Sequence, residues 1–306
     1  MDVVTVGWLT TDDIVLPDGT CHLGVPGGGA LYSAVGARIW LPRVGIHSTT
    51  GTAIAAEVRR SIAGRGLDPA GVAAVPGYGL QLWLLHESGS AKQQVPKLTS
   101  STAAAMDRGR GPLPDSFATA RGFHVAPQTP AGSLDTVRRL AARAEAPLIT
   151  LDLLSDEFID RRAYADLGFL DAVAAFLPSE AEVERIWAPP DLHGWLRAEA
   201  RRHACHMAVK IGEKGSVVCD ARTGALTHVP AWPAGVVDTT GAGDGYCGGF
   251  LAGLVSGQPP EICAAMGTVS ASYVVEACGA LMTAQPDEAD RDARLSRVMS
   301  GFSGLG

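Results

Sequence analysis

Five short apolar runs rich in β-branched residues recur along the chain: Val3-Val4-Thr5-Val6, Phe123-His124-Val125, Leu148-Ile149-Thr150-Leu151, Ala174-Ala175-Phe176-Leu177 and Ala208-Val209-Lys210-Ile211. Helical patterns lie between them. From Ser133 to Glu145, the residues Leu134, Val137, Leu140 and Ala141 fall on one face, and Leu31, Ala34, Val35 and Ile39 do so over 31–40. Continuous apolar strands alternating with helices need cover on both faces. The expected fold is therefore α/β, a three-layer sandwich with a mainly parallel central sheet. At 306 residues, 46% hydrophobic and 19% charged, the chain has the length and composition for such a core.

Two stretches do not fit that core. Residues 13–25 read as a strand, a Pro17-Asp18-Gly19-Thr20 turn and a second strand, and residues 78–98 as alternating strands around Glu87-Ser88-Gly89-Ser90. They are expected to form a separate small β sheet within one domain spanning 1–306. If 78–98 is extended, Trp83 and Gln81 share a face. That pair is read equally as cover for a sugar or base and as packing of the small sheet on the core. Lys92 and Lys97 either meet an anionic ligand or sit in solvent. Arg108 to Pro114 reads as a solvated loop, and the polar stretch after Met282 as peripheral.

A net charge of −7 argues against a broad nucleic-acid face, and no run has the length and apolarity of a membrane span. Met1-Asp2-Val3-Val4 opens as a strand without a signal-peptide pattern. The expectation is a cytoplasmic protein with a small-molecule substrate and neither nucleic acid nor membrane as partner. Six cysteines, none in a Cys-x-x-Cys pair, read as free thiols in a reducing compartment. His203-Ala204-Cys205-His206 lacks further zinc-spaced ligands and reads as a helix end before the strand at Ala208.

Most of the chemistry sits in Asp238-Thr239-Thr240-Gly241-Ala242-Gly243-Asp244, followed by a helix of small residues from Gly245 to Leu254. Free N–H groups at a glycine turn that opens a helix bind anions, and the helix dipole adds to this. Asp244 is ill placed to bind a phosphate itself. It suits a base that activates whatever attacks the anion. Gly-Ala-Gly by itself is equally a strand-to-helix turn capped by Asp244. Upstream, Pro26-Gly27-Gly28-Gly29-Ala30 allows close backbone approach to a ligand, or simply connects small sheet to core. Asp12 and Asp13 follow the first strand, where α/β sheets bind ligands. Asp12, by its distance from Gly7, is the choice for a ligand-facing carboxylate, and Asp13 reads as a turn aspartate.

The heptad resembles the C-terminal signature of the ribokinase-like (PfkB) carbohydrate kinase family, Asp-Thr-x-Gly-Ala-Gly-Asp, at every fixed position. The resemblance runs from about residue 3 to 282. It implies a phosphotransferase with an alcohol group as acceptor, using ATP and Mg2+, with the small sheet as a lid and leaving room for a homodimer built through it. Asp244 would be the general base, with the amides of Gly241, Ala242 and Gly243 as anion hole. Asp12, Gly28, Gly29, Tyr32 and Trp83 would surround the acceptor, with Tyr32 near the family's usual Asn. Lys210, Gly212 and Gly215, in the turn Lys210 to Ser216, would run along the nucleotide together with Thr240, Gly241 and Gly243. Ser179 replaces the Asn of the family's Asn-x-x-Glu, while Glu182 is kept as the magnesium-organising residue; Ser179 also reads as a helix N-cap. Cys278-Gly279-Ala280 resembles the loop that, with Asp238, holds a monovalent cation such as K+. The acceptor is read as a small sugar or polyol, alternatively a nucleoside. A non-catalytic sugar or nucleotide sensor is a different class. A dinucleotide oxidoreductase is disfavoured because no Gly-x-Gly-x-x-Gly follows the first strand.

Overall fold

The structure is a computed structural model and describes residues 1–87, 92–154 and 161–305. The turn Ser88-Gly89-Ser90 and the side chain of Lys92 lie outside the described residues. In chain order the strands are β1 (Val3–Val6), β2 (Thr10–Val15), β3 (Cys21–Gly27), β4 (Val44–Gly51), β5 (Asp68–Val75), β6 (Leu80–His86), β7 (Lys92–Pro96), β8 (Gly122–Val125), β9 (Leu148–Leu151), β10 (Ala175–Phe176), β11 (His206–Lys210), β12 (Ser216–Cys219), β13 (Leu226–Val229) and β14 (Ser303–Leu305). The helices are α1 (Gly29–Arg38), α2 (Ala55–Gly64), α3 (Ala103–Gly109), α4 (Pro130–Ala141), α5 (Glu180–Ile186), α6 (Leu192–His203), α7 (Ala242–Val255), α8 (Pro260–Val275) and α9 (Glu288–Met299).

Among the described residues, ten strands form one sheet in the order β14-β13-β12-β11-β10-β9-β8-β1-β4-β5. It is parallel from β5 to β11 and antiparallel from β11 to β14. Helices cover both faces. Val4 and Val6 pack with residues of α4, α5 and α6, whereas Val3 and Ile46 pack with α1, α2, α7 and α8. The stretch after Met282 is peripheral but ordered: it supplies α9, in which Val298 is the buried residue, and the edge strand β14.

Helices α1 and α7 are buried nearly all round rather than on one face. Their glycines explain this. A Cβ on Gly36 would overlap the Gly245 carbonyl, and one on Gly248 the Ser33 carbonyl, so the two helices meet backbone to backbone. The first turns of α7 are thereby held against the middle and last turn of α1.

The small sheet has the order β3-β2-β6-β7. β2 begins at Thr10, so Asp12 and Asp13 lie within a strand and not in a turn. Asp12, Ile14, Leu80 and Leu84 are buried. Asp13 and Trp83, in register on β2 and β6, take the opposite face, where Trp83 is 38% exposed. There Asp13 accepts from the Gly24 N–H at 2.7 Å and pairs with Lys97, whose ammonium lies 4.9 Å over the Trp83 ring. Burial pushes the Asp13 carboxyl up, but the bonds from Lys97 and Gly24 outweigh it and hold it below its ordinary value. Lys97 is thus committed to the lid.

Arg108 to Pro114 is a solvated loop only in part, with Gly111 and Pro112 exposed. Helix α3 runs to Gly109, and Arg110 is buried, donating to Asp107, Gln128 and Thr136.

Candidate active site

Two helix starts and one lid strand converge. Gly28 caps α1 with φ +95°, where any other residue would be strained and its Cβ would run into the Trp8 carbonyl. This lets the chain turn from β3 straight into α1. A Cβ on the next residue, Gly29, would lie 2.8 Å from Asp244 Oδ1, so the α1 start faces the carboxylate in the first turn of α7. A Cβ on Gly27 would overlap the Asp12 carboxylate, which also accepts from Thr10 Oγ1 at 2.8 Å. Asp12, Gly28, Gly29 and Asp244 are brought together. Trp83 is not, because it points off the other face of the lid.

Gly241 caps α7 with φ +75°, and a Cβ there would overlap the Tyr32 ring. Tyr32 therefore underlies the turn. Its hydroxyl is buried without a hydrogen-bond partner among the described residues. Burial first, then the carboxylates of Asp238, Asp12 and Asp244, push it well above the ordinary tyrosine range. It is a donor in want of an acceptor. Of the three amides expected to face an anion, Ala242 N–H instead turns to the Thr239 carbonyl at 3.3 Å. Gly241 and Gly243 N–H have no backbone partner among the described residues.

Beneath Gly243 lies Lys210. A Cβ on Gly243 would be 3.4 Å from its Nζ. Nζ also donates to Asp152 and lies 3.6 Å from Cys247 Sγ. Burial alone would push the ammonium down, but Asp152, Cys247 and Glu182 outweigh it and hold it well above its ordinary value. Glu182 closes a capping box with Ser179, accepting from its N–H at 2.7 Å and donating its own N–H to Ser179 Oγ at 3.3 Å. Burial, then the Asp152 carboxylate, raise Glu182 to about 7. Among the described residues no three metal-ligating side chains cluster. Asp152 and Glu182 beside Lys210 suit an ion held mainly by phosphates and water, as Mg2+ is. Asp238 is buried, and its Oδ2 has no hydrogen-bond partner among the described residues, a setting that fits a bare cation. Gly212 is exposed, and Gly215 is shaped by the hairpin: a Cβ there would overlap the Val229 carbonyl.

Three contributors were not anticipated. Asp152 directly follows β9, so the strand-end reasoning applied to Asp12 would have found it. Cys247 looked like one more core thiol. His86 carried no signal.

Trp8 joins this centre to a cavity of about 870 Å³ between α3 and α4, which Val6, His47, Asp107, Arg110, Thr129 and Thr136 help to line. Its carbonyl abuts Gly28, and its indole N–H donates to Asp107 at 2.6 Å. Burial and then the Arg110 guanidinium lower His47 to about 4, and burial and then Lys210 lower the sheet residue His124 to about 3. Both therefore fold neutral. Between their ordinary 6.5 and these values the unfolded chain takes up protons that the folded chain refuses, so stability falls as pH falls. The expected loss from neutral pH to about pH 5 is roughly 2 kcal/mol per histidine. Thermal melts across that range check it, and His124→Asn should flatten the decline.

A sequence model of the pfkB family carbohydrate kinases matches residues 25–286. The chain is 30% identical over 292 residues to a cytidine kinase of Thermococcus kodakarensis, covering 91% of this chain and 98% of that protein. Two solved structures show the same fold. A Burkholderia thailandensis nucleoside kinase in complex with ADP-inosine has a TM-score of 0.79 at 17% identity, covering 99% of this chain and 98% of that one. A putative ribokinase II of E. coli in complex with ATP and Mg2+ has a TM-score of 0.75 at 17% identity, covering 97% and 99%. The large, mostly parallel sheet and separate lid are thus a ribokinase-type arrangement. No helix among the described residues is long and apolar enough to cross a membrane.

Proposed function

The chain belongs to the pfkB family of carbohydrate kinases and is a phosphotransferase with a hydroxyl acceptor, and from that premise we propose that it transfers the γ-phosphoryl group of ATP to a nucleoside of the cytidine type. The nearly full-length similarity to a cytidine kinase carries the choice of acceptor. Geometry supplies the roles. Asp12, on the inner face of the lid, accepts hydrogen bonds from vicinal hydroxyls of the sugar. The Tyr32 hydroxyl, near the place of the family's Asn, donates to a sugar or phosphate oxygen.

Asp244 takes the proton of the attacking hydroxyl as its oxygen bonds to phosphorus, and ADP leaves. Gly241 and Gly243 N–H groups at the start of α7 stabilise charge on the transferring group, reinforced by the helix dipole. Lys210, held charged by Asp152, adds a fixed positive charge beneath the same turn. Glu182 and Asp152 would hold Mg2+ through water, and the ion would neutralise the polyphosphate. Asp238 would hold a monovalent cation.

The test is a panel of nucleosides, sugars and polyols with ATP and Mg2+, with and without K+, scored by ADP release and by the phosphorylated product. Cytidine is expected to give the highest kcat/KM. A sugar or polyol preferred tenfold over every nucleoside overturns the nucleoside reading and restores the carbohydrate one. Bound ATP with no phosphorylated product anywhere on the panel favours a sensor.

A further inference from the structure

The last residue of β6 leaves the lid and reaches the reaction centre. His86 Nε2 lies 3.2 Å from Thr240 Oγ1 and 3.4 Å from Asp238 Oδ1, with its side chain only 7% exposed. Thr240 is fixed in turn, its N–H donating to the same Asp238 Oδ1 at 2.8 Å. It immediately precedes Gly241, whose left-handed backbone sets the direction of the anion-facing amides. We propose that His86 is a positioning residue that ties the docked lid to the phosphoryl-transfer turn, so that the turn is held in working geometry only when the lid is down.

The topology makes this coupling mechanical. β6 pairs in parallel with β2, with Asp12 opposite Leu82 and Val15 opposite Leu85. Asp12 and His86 therefore sit on neighbouring strands of one rigid sheet and travel together. An acceptor that draws Asp12 inward carries His86 onto Thr240 and Asp238 in the same movement. Without an acceptor the lid has less to hold it. His86 then leaves, the amides of Gly241 and Gly243 lose their fixed direction, and ATP is poorly activated toward water. Misplacing a reacting group by about 1 Å costs on the order of 10² in rate, so a modest relaxation of this turn is enough. A hydrogen bond at the turn itself gives tighter control than lid packing could.

The proposal rests on the heptad turn being the reaction centre, and Asp244→Asn in the same assays tests that separately. With ATP, Mg2+ and cytidine, His86→Ala is expected to lower kcat by roughly 10², and kcat should fall more than KM rises. ADP formed per phosphorylated product should climb above one, because transfer to the acceptor falls while the low background hydrolysis of ATP stays as it was. His86→Gln, which keeps an N–H near Nε2, should recover most of the loss. Thr240→Val should resemble His86→Ala, and the double variant should be no worse than the poorer single. The best substrate of the acceptor panel takes the place of cytidine if cytidine is not the acceptor, and Thr240→Val carries the test if His86→Ala does not fold. A purely structural role would lower the melting temperature and leave the coupling ratio at one. That result, parental kcat in His86→Ala, or additive losses in the double variant would overturn the proposal. If Asp244→Asn keeps its turnover, the reaction centre itself is misassigned.

Discussion

Asp244→Asn is expected to lower kcat by about 10²–10⁴ while leaving ATP affinity and thermal stability close to those of the parent. The amide keeps the shape of the carboxylate against Gly29 and still suits the first turn of α7. What it removes is the group that accepts the hydroxyl proton. Because that proton moves as the new bond forms, the loss belongs to kcat and kcat/KM together, with little change in KM. Nucleotide binding by calorimetry and turnover by product formation separate the two effects. Near-parental turnover would mean that the base lies elsewhere. A large loss of ATP affinity would mean that Asp244 organises the nucleotide.

Lys210→Met should produce the largest loss of stability. It removes the cation from a cluster that still holds Asp152 and Glu182, and it leaves Asp152 buried with only the Leu153 N–H and the Cys247 thiol bonded to it among the described residues. Breaking a buried pair in this way costs on the order of 3–5 kcal/mol. A lower urea midpoint and weaker ATP binding are both expected. Removing the stranded charge as well, in Lys210→Met/Asp152→Asn, should restore much of the stability but not the affinity for ATP. A double variant that recovered both would reduce Lys210 to a scaffold role. An unchanged urea midpoint in Lys210→Met would contradict the burial argument.

The central sheet was legible because parallel strands buried on both faces leave continuous apolar runs, as at Val3–Val6 and Leu148–Leu151. The lid was legible because its hairpins alternate. Period two shows which residues share a face, but not which face looks inward. Asp12 and Asp13 are adjacent acids, and only the docking of the lid decides that one meets the reaction centre while the other pairs with Lys97. Trp83 was open to either reading for the same reason. The Asp152–Lys210 pair was hidden because it depends on β9 and β11 flanking β10, a fact of topology. Arg110 was misjudged because two of its three partners, Gln128 and Thr136, come from beyond the next strand. His86 was invisible because a polar residue ending a strand ordinarily meets solvent.

The glycine contacts between α1 and α7 divide the molecule by tolerance to change. Where a single added methyl group would strike a neighbouring main chain, at Gly36 or Gly248, almost no substitution can be accommodated. The exposed lid face bearing Trp83 has no such restriction. Drift can therefore collect on the outside of the two hairpins, while the apparatus that handles phosphate is inherited intact.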